Sequence, residues 1–264
     1  MKPVGVKNLD DLTKKLEKFS FRVQKNECMD LPDKIYMTRE VVMTDEQKEV
    51  YNQMVKEAIA YFNENEMTAN IAITKLMRLH QIVCGTFKDD MGKLHRLPNN
   101  RIEDLKETLQ EVDGKVIIFA NYRDNIIEIK ERLQKEYGPN SVVTYFGDTT
   151  TEERQYAVQQ FDRKYQGYKD PAIRFFVGNT QTAGYGITLT EASTVIYYSN
   201  DYSLERRLQS EDRAHRAGQI NKVTYIDLVS KKTVDEKIIK SLISKKDLSS
   251  TILQDEVSDW LYLV

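Results

Sequence analysis

KVIIFANYRDNIIEI, residues 115–129, holds a change of period that decides the fold. KVIIFA (115–120) is short, apolar without alternation and rich in branched side chains, as expected of a strand buried on both faces of a parallel sheet. The period then becomes helical, with Ile126, Ile129, Leu133 and Tyr137 on one stripe, closed by Gly138-Pro139. The same unit recurs downstream. Strand SVVTYF (141–146) meets the turn GDTT (147–150) and a helix opened by a Thr150/Glu153 capping box. Strand AIRFFV (172–177) precedes the loop GNTQTAGYG (178–186) and strand TVIYYS (194–199). A helix through QSEDRAHRAGQ (209–219), strand VTYIDLV (223–229) and a helix with a Thr233/Glu236 box complete the series. Alternating strands and helices predict an α/β parallel sheet with helices on both faces. Ligands in such sheets sit beyond the carboxyl ends of the strands, where loops 120–123, 147–150 and 178–186 gather.

Upstream the texture differs. Residues 1–43 read as a connecting arm, with a short stripe (Leu9, Leu12, Leu16, Phe19) and a strand at 35–44. Residues 44–99 read as a helical insertion: a Thr44/Gln47 capping box opens the first of two helices, and 86–99 form a polar loop. Residues 100–247 hold the sheet, and 248–264 are a C-terminal extension.

Composition narrows the function classes. Among 264 residues, 39 basic against 41 acidic give a net charge of −2, so any nucleic-acid contact must come from local patches rather than a global field. Cys28 and Cys84 are far apart, and His80, His95 and His215 are scattered, which argues against a disulfide scaffold or a metal site. No apolar run reaches the roughly 20 residues of a membrane span, and the N-terminus has no signal-peptide core. An intracellular location is the default expectation.

Read as helix, QSEDRAHRAGQ puts Gln209, Arg213 and Arg216 on one face, with Gly218 as the stop. Two guanidiniums one turn apart form a fork for anionic oxygens. A solvated face, with Glu211 and Asp212 pairing with the arginines, is the competing reading. GNTQTAGYG offers glycine amides and threonine hydroxyls to a phosphate, or is simply a tight turn. GDTT suits phosphate binding or plain capping, and Asn121, Tyr122 and Arg123 follow the first buried strand.

KVIIFANYRDNIIEI, YFGDTTTEERQYAVQQF, GNTQTAGYGITLTEASTVIYYSNDYS and LQSEDRAHRAGQ, in this order, resemble the second RecA-like lobe of superfamily-two helicases, specifically the Swi/Snf-like DNA-dependent ATPases. FSFRVQKNECMDLPDKIY resembles the segment joining that family's two lobes. The resemblance implies that Arg213 and Arg216 are arginine fingers reaching the γ-phosphate of ATP held, with magnesium, on the other lobe. It implies that Gln209 sets the helix against the nucleotide and that Gly184 and Gly186 link nucleotide to DNA. It places Thr180, Gln181, Gly147, Thr149, Tyr122 and Arg123 at double-stranded DNA through the backbone, with the first lobe as partner and no membrane.

Departures are specific. Gln181, Thr182 and Ala183 stand where the family has arginine, alanine and glycine, and Tyr202-Ser203-Leu204 replaces a tryptophan-proline signature, a variation resembling phage or bacterial members. The loop G-x-x-x-x-G-K-[ST] is absent from the sequence, and Asp45-Glu46 and Asp235-Glu236 read as helix caps rather than metal carboxylates. The chain alone is therefore expected to bind no ATP or magnesium and to be inactive. Half of an ATP-driven DNA translocase is the first reading. A non-catalytic nucleic-acid or protein binding module is the second, and an independent doubly wound nucleotide enzyme the third.

Overall fold

The computed structural model describes residue 15 and residues 30–63, 69–89, 91–183 and 186–243. The stripe at 9–19 apart from residue 15, Cys28, Gly184 and the extension 248–264 lie outside these residues. Contacts divide the chain into Met1–Leu31 and Pro32–Val264, and the second unit holds the sheet.

Six strands form that sheet: β1 (Lys34–Glu40), β4 (Val116–Phe119), β5 (Val142–Tyr145), β6 (Phe175–Gly178), β7 (Thr194–Tyr197) and β8 (Val223–Val229). Their order is β1-β8-β7-β4-β6-β5, and every pairing is parallel. β4 lies inside the sheet, and its alternate residues feed two cores. Val116 and Ile118 pack with Ile102, Leu105 and Leu109 of α3 (Arg101–Gln110) and Ile126, Ile129 and Leu133 of α4 (Arg123–Tyr137). Ile117 and Phe119 pack with Ala157 and Phe161 of α5 (Thr151–Phe161) and Ala214 of α7 (Leu204–Ala214). All four strand residues are buried, which is why the sequence shows an apolar run without alternation.

The arm contributes to the sheet. β1 pairs residue for residue with β8, from Lys34↔Val223 to Glu40↔Val229, so 34–40 form an edge strand rather than a connection alone. The expected helical pair is present as α1 (Asp45–Asn63) and α2 (Ala69–Val83). Its capping box forms as read: the Gln47 amide donates to Thr44 Oγ1 at 3.2 Å, and the Thr44 amide donates to Gln47 Oε1 at 3.1 Å. The pair docks on α8 (Val234–Ile243), where Tyr51, Val55 and Leu79 meet Ile238 and Leu242. Tyr51 Oη also accepts from the Val234 amide at 2.9 Å, satisfying one of the orphan donors of that helix start.

Four expectations need correction. Residues 86–99 are not a plain loop: β2 (Thr86–Lys88) and β3 (Leu94–Arg96) form an antiparallel hairpin, too short for its period to stand out. GNTQTAGYG is not a pure loop either: Gly178 ends β6, and Thr180–Ala183 form the one-turn helix α6, opened by Asn179 Oδ1 accepting from the Thr182 amide at 2.9 Å. Asp235 is more than a cap. It is fully buried and accepts from Arg101 Nη2 at 2.6 Å and from the Ser230 amide at 2.9 Å. Glu236 accepts from the Lys232 amide rather than that of Thr233, so the third capping box is displaced by one residue.

Arg101, with no exposed surface, also donates to the carbonyls of Tyr198 and Leu228, beyond the end of β7 and within β8. His80 Nε2 of α2 lies 3.5 Å from Asp235 Oδ1. Burial opposes charge on all three groups, but Arg101 and His80 hold Asp235 down at about 2, while Cys84 and Asp235 lift His80 to about 9. A depressed carboxyl contributes stability above its ordinary 3.8 and loses it as pH falls toward about 2; a raised imidazole contributes below 6.5 and loses it as pH rises toward about 9. Asp235→Asn should therefore lower the unfolding free energy by about 3–5 kcal/mol at neutral pH by leaving Arg101 unpaired. Urea denaturation across pH checks this: the variant should also lose the dependence below pH 4, and a variant as stable as wild type contradicts it.

Candidate functional site

α7 is fixed before its functional end begins. Ser203 caps it, its Oγ accepting from the Arg206 amide. One turn in, Arg207 is buried and stacks 3.5 Å over the Tyr197 ring. Its guanidinium donates to Asp227 Oδ1 at 2.5 Å and Oδ2 at 3.1 Å, to Asn200 at 2.5 Å and to Glu211 Oε1 at 2.9 Å. Glu211 also accepts from Lys34 at 2.9 Å and Tyr36 at 2.7 Å. Burial would raise its pKa, but Arg207 and Lys34 outweigh that and hold it below the ordinary value. Glu211, the first of the two acidic groups in QSEDRAHRAGQ, is thus committed to β1 and to Arg207. Of the two carboxylates in the competing solvated-face reading, Asp212 stays beside Arg213 and acts to raise its pKa.

Arg213 and Arg216 converge on one acceptor. Arg213 Nη1 donates to the Ile187 carbonyl at 3.3 Å and Arg216 Nη1 to the same oxygen at 3.1 Å. Arg213 Nε also donates to the Gln209 carbonyl at 3.0 Å. Neither guanidinium forms a salt bridge among the described residues. Burial, then the charge of Arg216, holds the pKa of Arg213 below its usual value, and the Asp212 carboxylate only partly offsets them. Gln209 donates to Glu205 at 2.9 Å, while its buried Oε1 has no partner among the described residues.

The route to this fork differs from the expectation. The helix stops at Ala214, not at Gly218; His215 leaves helical geometry at ψ 79° and its Nε2 meets the Pro32 carbonyl at 2.7 Å. Arg216 therefore lies in the following turn. That turn is built around the buried amide of Gln219, unrecognised in the sequence. Its Nε2 donates to the carbonyls of Thr190, Ala192 and Ala214, and its Oε1 accepts from the amides of Ile220 and Asn221. Gly218, at φ +105°, lets the chain pass beneath Lys164, whose Cε would lie 3.2 Å from an added Cβ.

Position in the sheet also differs. α7 runs back from the carboxyl end of β7, so the fork lies toward the amino ends of the strands, where Leu189 donates to the Arg213 carbonyl just upstream of β7. The other candidate residues lie on the segments leaving the carboxyl ends. Arg123 is exposed and paired with Asp148, Nη2 to Oδ2 at 2.5 Å, joining the turn after β4 to GDTT. Gly147 is exposed, with its carbonyl accepting from Arg154 at 3.2 Å. Thr149 is buried, its Oγ1 accepting from the Phe146 amide. The Tyr122 hydroxyl turns inward to His80 Nδ1 at 2.9 Å. Thr180 is buried on α6, whereas Gln181 is exposed. Gly186, at φ +69°, is exposed with open space about it, one residue before the shared carbonyl.

Residues 100–218 match the family model of the helicase conserved C-terminal domain. The chain is similar to the helicase SWR1 of Candida albicans, 31% identical over 166 residues, which is 63% of this chain and 9% of that protein. The chain thus spans only a small part of that relative's length. Among solved structures, the C-terminal part of the Fun30 ATPase domain has a TM-score of 0.69 at 20% identity, over 88% of this chain and 98% of that one. A Sulfolobus solfataricus SWI2/SNF2 ATPase core, solved in complex with dsDNA, has a TM-score of 0.63 at 25% identity, over 96% and 53%. The fold is RecA-like α/β, and the matches support a Swi2/Snf2-type C-terminal lobe.

Gln219→Ala should leave the carbonyls of Thr190, Ala192 and Ala214 without the side-chain amide they share and cost roughly 1–3 kcal/mol. Faster hydrogen exchange at the Ile220 and Asn221 amides should accompany the loss in urea denaturation; unchanged exchange would mean the amide does not hold the turn.

Proposed function

We propose that this chain is the second motor lobe of an ATP-dependent DNA translocase, completing a nucleotide site whose phosphate-cradling half lies on another lobe. The observation that carries this reading is the pair of guanidiniums on the Ile187 carbonyl, neither in a salt bridge among the described residues. A neutral carbonyl is a weaker acceptor than a phosphate oxygen, so an arriving γ-phosphate can take over both donors. The two arginines then offset charge that develops in the transition state. ATP and magnesium belong to the two-lobe assembly. Gln209 sets the register of the fork, because its carbonyl anchors Arg213 Nε. Gly184 and Gly186 flank the segment that leads to Ile187, which ties nucleotide occupancy to the loop after β6.

Duplex DNA is the partner in this reading, met through its backbone at the carboxyl ends of the strands. Exposed Gln181, Gly147 and Arg123 are suited to touch it. Thr180, Thr149 and Tyr122, whose side chains are mostly buried or turned inward, act by shaping the loops that do. The working place is intracellular; among the described residues no helix is long and apolar enough to cross a membrane. The fork favours a motor lobe over a passive binding module, which would have no need of two unneutralised arginines.

In the protein joined to its first lobe, Arg213→Ala or Arg216→Ala should lower DNA-stimulated ATP turnover by about 10³–10⁵ while leaving duplex affinity near wild type. Normal hydrolysis in both variants would refute the finger assignment. The 264-residue chain by itself should hydrolyse ATP at background rate with or without DNA.

A further inference from the structure

Three residues at the point where the chain enters the sheet reach the last turn of α7. The Pro32 carbonyl accepts from His215 Nε2 at 2.7 Å. A carbonyl only accepts, so that ring nitrogen carries a proton. Lys34 and Tyr36 stand on one face of β1, as alternate strand residues do, and both donate to Glu211 Oε2, at 2.9 Å and 2.7 Å. The Tyr36 ring stacks on Tyr225 with centroids 5.3 Å apart, and the Tyr225 hydroxyl donates to the Glu211 carbonyl at 2.9 Å. The His215 amide donates to that same carbonyl at 3.1 Å, closing the turn.

None of these side-chain contacts is needed to hold β1 in the sheet, because its backbone already pairs with β8 from Lys34↔Val223 to Glu40↔Val229. Their targets bracket Arg213: Glu211 precedes it, and His215 lies between it and Arg216. Glu211 is 3% exposed and His215 9%, so their bonds to residues 32–36 are shielded from water, and those of the carboxylate to Lys34 are charge-assisted. The apolar contribution of that turn to the core is the single methyl of Ala214, which gives little resistance to rotation of the helix end. His215 is also where helical geometry ends, at φ −96° and ψ 79°. The direction of its ring and the start of the turn bearing Arg216 are therefore set together.

We infer that Pro32, Lys34 and Tyr36 position the arginine fork, acting through His215 and Glu211 on the backbone that carries Arg213 and Arg216. The inference rests on the finger reading above and adds positioning residues to it, none of which touches the nucleotide. The guanidiniums must meet a phosphate at hydrogen-bond distance, and a displacement of about 1 Å at such a site costs up to about 10²-fold in rate.

Steady-state ATP turnover by the protein joined to its first lobe, with duplex DNA, tests it alongside hydrogen exchange in the 264-residue chain. His215→Phe keeps a ring of similar size without the donor. Its kcat should fall by about 10–100-fold with KM for ATP near wild type, because the fork acts on the transition state. His215→Gln, whose amide nitrogen can donate to Pro32, should recover most of that loss. Tyr36→Phe keeps the stack on Tyr225 and should lower kcat severalfold. Lys222→Gln removes the exposed ion pair with Asp33, at the same entry but away from α7, and should leave kcat unchanged. In the chain by itself, His215→Phe should speed exchange of the Gln219 amide, which donates to the Arg216 carbonyl at 2.9 Å. Wild-type kcat in both His215→Phe and Tyr36→Phe overturns the inference and leaves the finger reading in place. So does unchanged Gln219 exchange, an equal loss of kcat in Lys222→Gln, or no recovery in His215→Gln. If Arg213→Ala and Arg216→Ala turn over ATP normally, the finger reading falls and this inference falls with it.

Discussion

Arg101 is where the separate parts of this lobe are joined. A guanidinium with no exposed surface would be strongly unfavourable alone; here it is met by two strand carbonyls, the Ser230 hydroxyl and the Asp235 carboxylate. Those acceptors belong to the end of β7, to β8 and to the start of α8, while Arg101 opens α3. His80 brings in the helical pair through the same carboxylate. Removing one member leaves the others charged in the dry interior, so the sheet and the helical insertion are linked by more than apolar contact. The Tyr122 hydroxyl on His80 extends this link to the start of α4.

A second buried arginine does comparable work at the other active element. Arg207 binds α7 to β8 through Asp227, to β7 through the Tyr197 ring and to β1 through Glu211, which Lys34 and Tyr36 also hold. By occupying Glu211 it keeps that carboxylate away from Arg213 and Arg216. Charge that would quench the fork is spent in the core instead. The helix that leads into the fork is anchored by a different arginine from the two that form it.

Much of the sheet was legible because buried parallel strands write a continuous apolar run, and KVIIFA, TVIYYS and VTYIDLV all do so. Two capping boxes were readable because their chemistry is local to four residues. What was not legible depended on distance in the chain. Asp235 looked like a first-turn acid, and only a partner 134 residues away makes it the counter-charge of Arg101. Gln219 looked like the tail of a motif, although its amide organises the turn that carries Arg216. Arg207 had one visible clue, Glu211 one turn on, which gives no hint of Asp227. The hairpin at 86–96 has strands of three residues, too few for a period to show.

The parallel topology sets the geometry that any coupling must use. Every strand points the same way, so each loop after a strand lies at one end of the sheet and each helix must return to the other. α7 therefore delivers Arg213 and Arg216 to the amino ends, opposite the turns after β4 and β5. The segment after β6 is the covalent bridge between them: it leaves the carboxyl end at Gly178, forms α6 against α7, and reaches the fork at Ile187. Exposed Gly186 lies in the left-handed region immediately before that carbonyl, with open space about it. If a phosphate draws both guanidiniums away from Ile187, it releases this segment at one end while α6 stays packed on α7 at the other.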